Sequence, residues 1–305
     1  MEAAERRALE YAADSYRNFP DVRAVSFGSK FTAGSRLEDV QAIQFFVTSK
    51  IPKDDLRKPL PRFIYGRKPD GSPDRDHKIP TDVIEMGDLE LCCASGDSLD
   101  RVGAEGCVTL IFRNKTPDAR LLAITCSHVA AELFSNSPPL QLTGGSENCV
   151  FQASVIANTA LEKGELEFDI AVAEVVGHDP DFAELAVAGD QTILDGFVDE
   201  AVLATGNSLR CISRVTGDRE ITSESRPTFV SGIDAGHGAE IAIGNLIACK
   251  GDAVPGDSGG IVFVGTKAAG IVVARGNDGW VLIHSLEAAI AHLASAKGIA
   301  LKCFS

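Results

Sequence analysis

Apolar residues recur at Leu9, Ala12, Ala13 and Tyr16, with Glu and Arg between them, and Pro20 closes the segment. That spacing predicts an amphipathic helix over residues 2–18. Two apolar runs come next, Val22–Gly28 and Ala42–Val47, and read as strands. Pro52–Leu56 suggests a short helical turn, and the Pro-, Gly- and charge-rich stretch Pro59–Lys78 reads as a mobile loop. Another strand, Thr81–Met86, ends at Gly87, so the first 95 residues make a small α+β unit separable from the rest of the chain.

From about residue 96 the texture changes to short strands punctuated by glycine. Gly106–Phe112, a turn at Arg113–Asp118 and a return strand at Leu121–Cys126 come first. Phe151–Ile156, Leu166–Val175, Ala201–Leu203, Cys211–Thr216, Thr228–Ile233, Ala239–Ala248, Gly260–Val264 and Ala269–Ala274 continue the pattern. Only the end turns helical, with Leu286, Ala289, Ile290 and Leu293 on one face and a stop at Gly298. Many strands at regular spacing predict a mainly β domain over 96–305, a sandwich or barrels, preceded by the α+β unit over 1–95.

Composition narrows the function. The chain has 305 residues, 45% of them apolar, enough for a sizeable core. The net charge of −14 argues against nucleic acid as a partner, because phosphate contacts need clustered Lys and Arg. No run is long enough to span a bilayer, and Met1–Arg7 has no apolar signal region, so the expected location is the cytoplasm. Most of the eight cysteines, at wide, irregular spacing, then read as reduced, buried small hydrophobes. No CxxC pair points to zinc, and Asp74-Arg75-Asp76-His77 reads as a solvated cluster rather than a metal site, so no metal or cofactor is expected.

One stretch carries chemistry: Gly256-Asp257-Ser258-Gly259-Gly260, running straight into an apolar strand. A serine framed by glycines sits on a backbone that larger residues would obstruct, with its hydroxyl open and neighbouring N–H groups free to converge. That is what acyl transfer needs, a nucleophile beside donors for a developing oxyanion. A serine hydroxyl also needs a base, and the base needs a carboxylate to hold its tautomer. His128 stands at the end of a strand in Thr125-Cys126-Ser127-His128-Val129. Asp169 lies between Phe168 and Ile170, where an acid is costly to bury without a partner.

These three segments, in the order His, Asp, Ser, resemble the signature segments of the trypsin-like serine proteases, over about residues 96–298. The resemblance implies two packed six-stranded antiparallel β-barrels with a C-terminal helix and the site between the barrels. It makes His128 the general base, Asp169 its orienting carboxylate and Ser258 the nucleophile, with the N–H groups of Gly256 and Ser258 as oxyanion hole. The implied activity is a serine endopeptidase acting on protein or peptide substrates. The N-terminal stretch, through Ile79-Pro80-Thr81-Asp82-Val83-Ile84-Glu85, resembles the leader module of intracellular bacterial members of that group. This implies regulated proteolysis, with a role in stress or defence.

The chain departs from the secreted members. No bridging Cys comes after His128, and no Ile-Val-Gly-Gly start lies near residues 90–106, so Asp257 must find a partner other than a new amino terminus. Asp252, six residues before Ser258, stands where family members preferring Arg or Lys carry the pocket acid. Arg275 falls on the strand that forms the pocket wall in the family. A basic residue before the cut is expected, with Asp252 as an exposed turn or Arg275 as a selector of acids as the alternatives. The 1–95 unit is either a pro-domain cut within Pro59–Lys78, at Arg62, Arg67 or Arg75, or a docking module for a regulatory protein. The competing reading is a catalytically silent scaffold with a protease fold; an esterase of the GxSxG class has the order Ser, Asp, His instead.

Overall fold

The computed structural model describes residues 1–19, 21–32, 35–51, 59–92, 106–114, 120–130, 141–146, 149–159, 161, 164–176, 194–203, 206–213, 215–235, 239–299 and 301–302. The N-terminal part opens with α1 (Ala3–Tyr16), whose buried face is Ala8, Leu9, Ala12 and Ala13. Strands β1 (Val22–Thr32), β2 (Ser35–Val47), β3 (Phe63–Arg67), β4 (Pro73–Glu85) and β5 (Leu89–Leu91) come after it. The helix packs on Val25, Ile43, Phe45, Ile64 and Ile79, the inward face of β1 to β4. β1 and β2 form a long antiparallel hairpin, while β4 runs parallel to β2.

The stretch expected as a mobile loop, Pro59–Lys78, is instead largely the β3–β4 hairpin. Its charged residues mark outward positions; Ile64 and Ile79 are the buried ones that hold it to the helix. Gly71 supplies a left-handed turn residue (φ 81°), and the Asp70 carboxylate accepts from Ser72 N at 2.9 Å. The helical turn expected at Pro52–Leu56 and the 95/96 boundary lie outside the described residues.

Next come β6 (Leu110–Arg113), β7 (Leu121–Thr125), the short α2 (Ser127–Ala130), β8 (Gln141–Ser146), β9 (Cys149–Asn158), β10 (Glu165–Leu166) and β11 (Ala171–Val176). Five of these strands make an antiparallel sheet in the order β6-β7-β11-β9-β8. The remainder is β12 (Gly196–Phe197), β13 (Ser208–Ser213), β14 (Gly217–Ser225), β15 (Phe229–Asp234), β16 (Glu240–Gly244), β17 (Leu246–Lys250), β18 (Ile261–Val264), β19 (Lys267–Gly276), β20 (Trp280–Ser285) and α3 (Leu286–Lys297). The order β18-β13-β14-β17-β20-β19 closes on itself through the β18–β19 pair, giving a six-stranded antiparallel barrel. Ala201–Leu203, expected as a strand, belongs to a 3-10 turn.

The molecule is therefore mainly β, with a closed six-stranded antiparallel barrel, a second antiparallel sheet and a C-terminal helix, the trypsin-like arrangement. The second sheet differs from the expected six-stranded barrel: it has five strands among the described residues, and the chain entering it from 93 to 105 lies outside them. One apolar core ties the parts together, joining Phe46 and Met86 to Ile124 and Val172 of the five-stranded sheet and to Ile271 and Trp280 of the barrel. The N-terminal strands are not a free-standing sheet. β1 pairs with β15, and β5 lies between β15 and β19. Among the described residues no helix is long and apolar enough to cross a membrane.

Candidate active site

Strand pairing brings the first two site residues together. β7 and β11 are antiparallel with Thr125 opposite Ala171, so a residue just after β7 and one just before β11 emerge at the same end. Those residues are His128 and Asp169. The Asp169 carboxylate accepts from His128 Nδ1 and, at 3.1 Å, from the His128 backbone N. With Nδ1 engaged by Asp169, the other ring nitrogen, Nε2, faces Ser258, whose Oγ is 2.7 Å away. Ser258 arrives from the β17–β18 connection. All three side chains are buried.

Asp169 is fully buried, and burial alone would raise its carboxyl. The charge and hydrogen bonds of His128 outweigh that and hold it below the ordinary carboxylate range. A fourth residue completes the line. His284 on β20 accepts from the Asp169 backbone N at Nε2 (2.9 Å), and its Nδ1 donates to the Asn245 carbonyl (3.2 Å). Burial depresses His284 to about 4, so it stays neutral, as both contacts require. Its ring lies 5.0 Å from that of Phe168, the residue beside Asp169. His284 has no sequence signal beyond being a polar residue inside an apolar strand.

The turn that carries Ser258 is built around glycine. Gly256 has φ 97° and Gly259 φ 83°, and a Cβ on Gly259 would stand 2.0 Å from the Cys107 carbonyl oxygen. Between them Asp257 is buried, yet its carboxylate accepts from Val254 N (3.0 Å), Thr216 N (3.1 Å), Val215 N (3.3 Å) and Thr216 Oγ1. Arg219 Nη2 adds an ion pair at 3.4 Å. Burial pushes the Asp257 carboxyl up, but these hydrogen bonds win and keep it low and ionised. The partner that the sequence required for Asp257 is thus the β13–β14 turn, and no new amino terminus is needed to shape this loop.

Its shape aims two donors at one point. The N–H groups of Gly256 (2.8 Å) and Ser258 (3.1 Å) both donate to a single acceptor, the carbonyl oxygen of Cys92. Cys92 lies one residue beyond β5. Its own N–H donates to the Val273 carbonyl at 3.1 Å, and the Ser258 hydroxyl lies 3.1 Å from that same carbonyl oxygen. Its side chain is buried in an apolar cluster with Leu209, Cys211, Ala253, Val272 and Val281.

The two specificity candidates differ in their surroundings. Asp252 is exposed, and it is the next residue, Ala253, that joins the cluster around Cys92. Arg275 does lie at this end of β19, where its guanidinium pairs with Glu90 of β5 and donates to the Ala253 carbonyl (3.3 Å). Arg67, one of the suggested self-cleavage points, is on β3, the strand at the far edge of the large sheet.

Cys126 Sγ, His128 and Asp169 offer ligand atoms within 4.8 Å of one another, so a metal must be considered. The donors are already committed. Asp169 and His128 bond each other, Cys126 Sγ donates to the Val272 carbonyl (3.2 Å), and burial pushes its thiol well up, away from the thiolate a metal prefers. Cys92, Cys107, Cys126, Cys211 and Cys249 are all buried.

No protein-family profile matches the chain, and no curated protein matches it. Among solved structures it is similar to a protease from Nocardiopsis, at 17% identity and TM-score 0.42 over 61% of this chain and 88% of that one. Protease A of Thermobifida fusca gives 18% and 0.42 over 64% and 90%. The chymotrypsin of Cellulomonas bogoriensis gives 14% and 0.42 over 72% and 97%.

Proposed function

We propose that the protein is a serine endopeptidase, a hydrolase that cuts peptide bonds through an acyl-enzyme on Ser258. Ser258 Oγ attacks the carbonyl carbon while His128 Nε2 takes its proton, and Asp169 holds the ring and stabilises the imidazolium. The oxyanion forms between the Gly256 and Ser258 N–H groups; the imidazolium protonates the leaving amine, and water then frees the acyl group by the reverse steps. One observation carries this reading. A nucleophile, a base and a carboxylate stand in hydrogen-bonded series, and two backbone donors beside the nucleophile already hold a peptide carbonyl oxygen. Surface turns with a stray serine have no cause to assemble all five.

The residue before the cut is read as small and apolar, because the Cys92 side chain is buried with Leu209, Cys211, Ala253, Val272 and Val281 and Asp252 is exposed. Residues 1–95 are read as the regulatory unit, since they reach the site through β5. A cytoplasmic bacterial protease of regulated proteolysis, in defence or in stress, is the setting that goes with this reading.

Fluorophosphonate labelling tests it. Label is expected on wild type, or on Glu90→Arg where the β5 segment is loosened by like charge against Arg275, and it should vanish in Ser258→Ala and His128→Ala. Folded protein that takes no label in either form would leave the silent-scaffold reading instead.

A further inference from the structure

Leu89-Glu90-Leu91-Cys92 lies across the site in the pose of a bound substrate. It runs antiparallel to β19, with Leu91 opposite Ala274, Glu90 opposite Arg275 and Leu89 opposite Gly276. Strand addition of this kind fixes a peptide by its main chain and leaves specificity to alternate side chains. The specificity contacts are present: the Cys92 side chain fills the apolar cluster, and Glu90 pairs with Arg275. The Cys92 carbonyl is the one held by the Gly256 and Ser258 N–H groups.

The segment is also fastened from behind. Asn277 N donates to the Asp88 carbonyl (3.2 Å), and Trp280 Nε1 donates to the Glu85 carbonyl (3.0 Å). β15 flanks β5 on its other edge, with Ile233 opposite Leu89. Gly276 permits this approach, since a Cβ there would stand 2.6 Å from the Met86 carbonyl oxygen. A carbonyl tethered in this way meets the nucleophile at an effective concentration far above any free peptide.

We infer that the protein is its own substrate, cutting the Cys92–Cys93 bond in cis and dividing the chain into residues 1–92 and 93–305. The inference rests on the endopeptidase reading above. The step balances with water as the only co-reactant. Ser258 Oγ bonds to the Cys92 carbonyl carbon as its proton passes to His128, and the C–N bond breaks as that proton passes to the Cys93 nitrogen. Water then hydrolyses the Ser258 ester, leaving a Cys92 carboxylate and a free hydroxyl.

The test is intact mass against time on freshly synthesised full-length chain, wild type and Ser258→Ala, with fluorophosphonate labelling run in parallel. Wild type is expected to yield the two fragments at a rate independent of protein concentration, while Ser258→Ala stays whole. Cys92→Trp, too large for the cluster, should slow the cut about 100-fold. Glu90→Arg should slow it about tenfold, and Arg275→Glu in the same chain should restore it. A chain that takes the fluorophosphonate label but stays whole overturns self-cleavage and leaves the endopeptidase reading standing. A folded chain that neither labels nor cuts overturns both. Cutting at another bond, or equal cutting in Ser258→Ala, overturns the inference.

Discussion

Replacing His284 by Gln should remove a pH dependence that the fold has built in. His284 is held neutral by burial at about 4, against 6.5 for an ordinary imidazole. Between those values the unfolded chain binds a proton that the folded chain refuses. Stability therefore rises with pH across this window, and is lost as pH falls from the unfolded value toward the folded one. The full shift corresponds to about 3 kcal/mol, and the part lost between about pH 7.5 and about pH 4.5 is about 2.5 kcal/mol. The assay is urea unfolding at the two pH values, in a Ser258→Ala background that keeps the chain whole. The Gln variant should start less stable, having lost part of the Asp169–His284–Asn245 line, yet lose about 2.5 kcal/mol less than its parent on acidification. Asp169 and Asp257 are both held low, so their acid loss falls mainly below this window. If parent and variant lose the same stability over that window, His284 is not the buried neutral group described here.

The same contacts set four further outcomes. Asp169→Asn should leave the fold intact and reduce the rate of fluorophosphonate labelling by about 10⁴, because His128 then lacks the acceptor that fixes its tautomer. Asp257→Asn weakens a buried set of hydrogen bonds and the Arg219 pair; a loss of about 1–3 kcal/mol in urea unfolding is expected, with slower labelling as the two N–H donors lose their aim. Gly259→Ala should be among the most damaging small changes, about 4 kcal/mol or more by thermal unfolding, since its Cβ would collide with the Cys107 carbonyl and φ is positive. Asp252→Ala, by contrast, should move neither stability nor cleavage preference by more than about 0.5 kcal/mol, measured on peptides with Arg or a small apolar residue before the cut.

Much of the site was legible because its parts carry local signals. The glycines around Ser258 report a backbone that only glycine adopts readily, and an acid between Phe168 and Ile170 announces a buried partner. The illegible part depends on pairing across the chain. Leu89–Cys92 is too short to read as a strand, and nothing in those residues says that β19 and β15 flank them. Thr216 and Arg219 look like any turn and strand residues until the β13–β14 hairpin folds against Asp257. The β3–β4 hairpin was hidden by its charged outer face, because the two isoleucines that anchor it are far apart in sequence. Position before the serine suggested a pocket acid at Asp252; the turn buries Ala253 and leaves Asp252 in solvent, which the sequence alone does not tell apart.

The central claim, that Ser258 accepts acyl groups with His128 as base, is tested most directly by trapping the ester. An activated p-nitrophenyl ester is mixed with the protein, the reaction is quenched in acid, and the acyl group is located by peptide mass spectrometry. The account predicts a burst of nitrophenolate matching the protein concentration and an acyl group on Ser258, both absent from Ser258→Ala and slowed by about 10⁶ in His128→Ala. Equal release by wild type and Ser258→Ala, with no acyl group on Ser258, would contradict it.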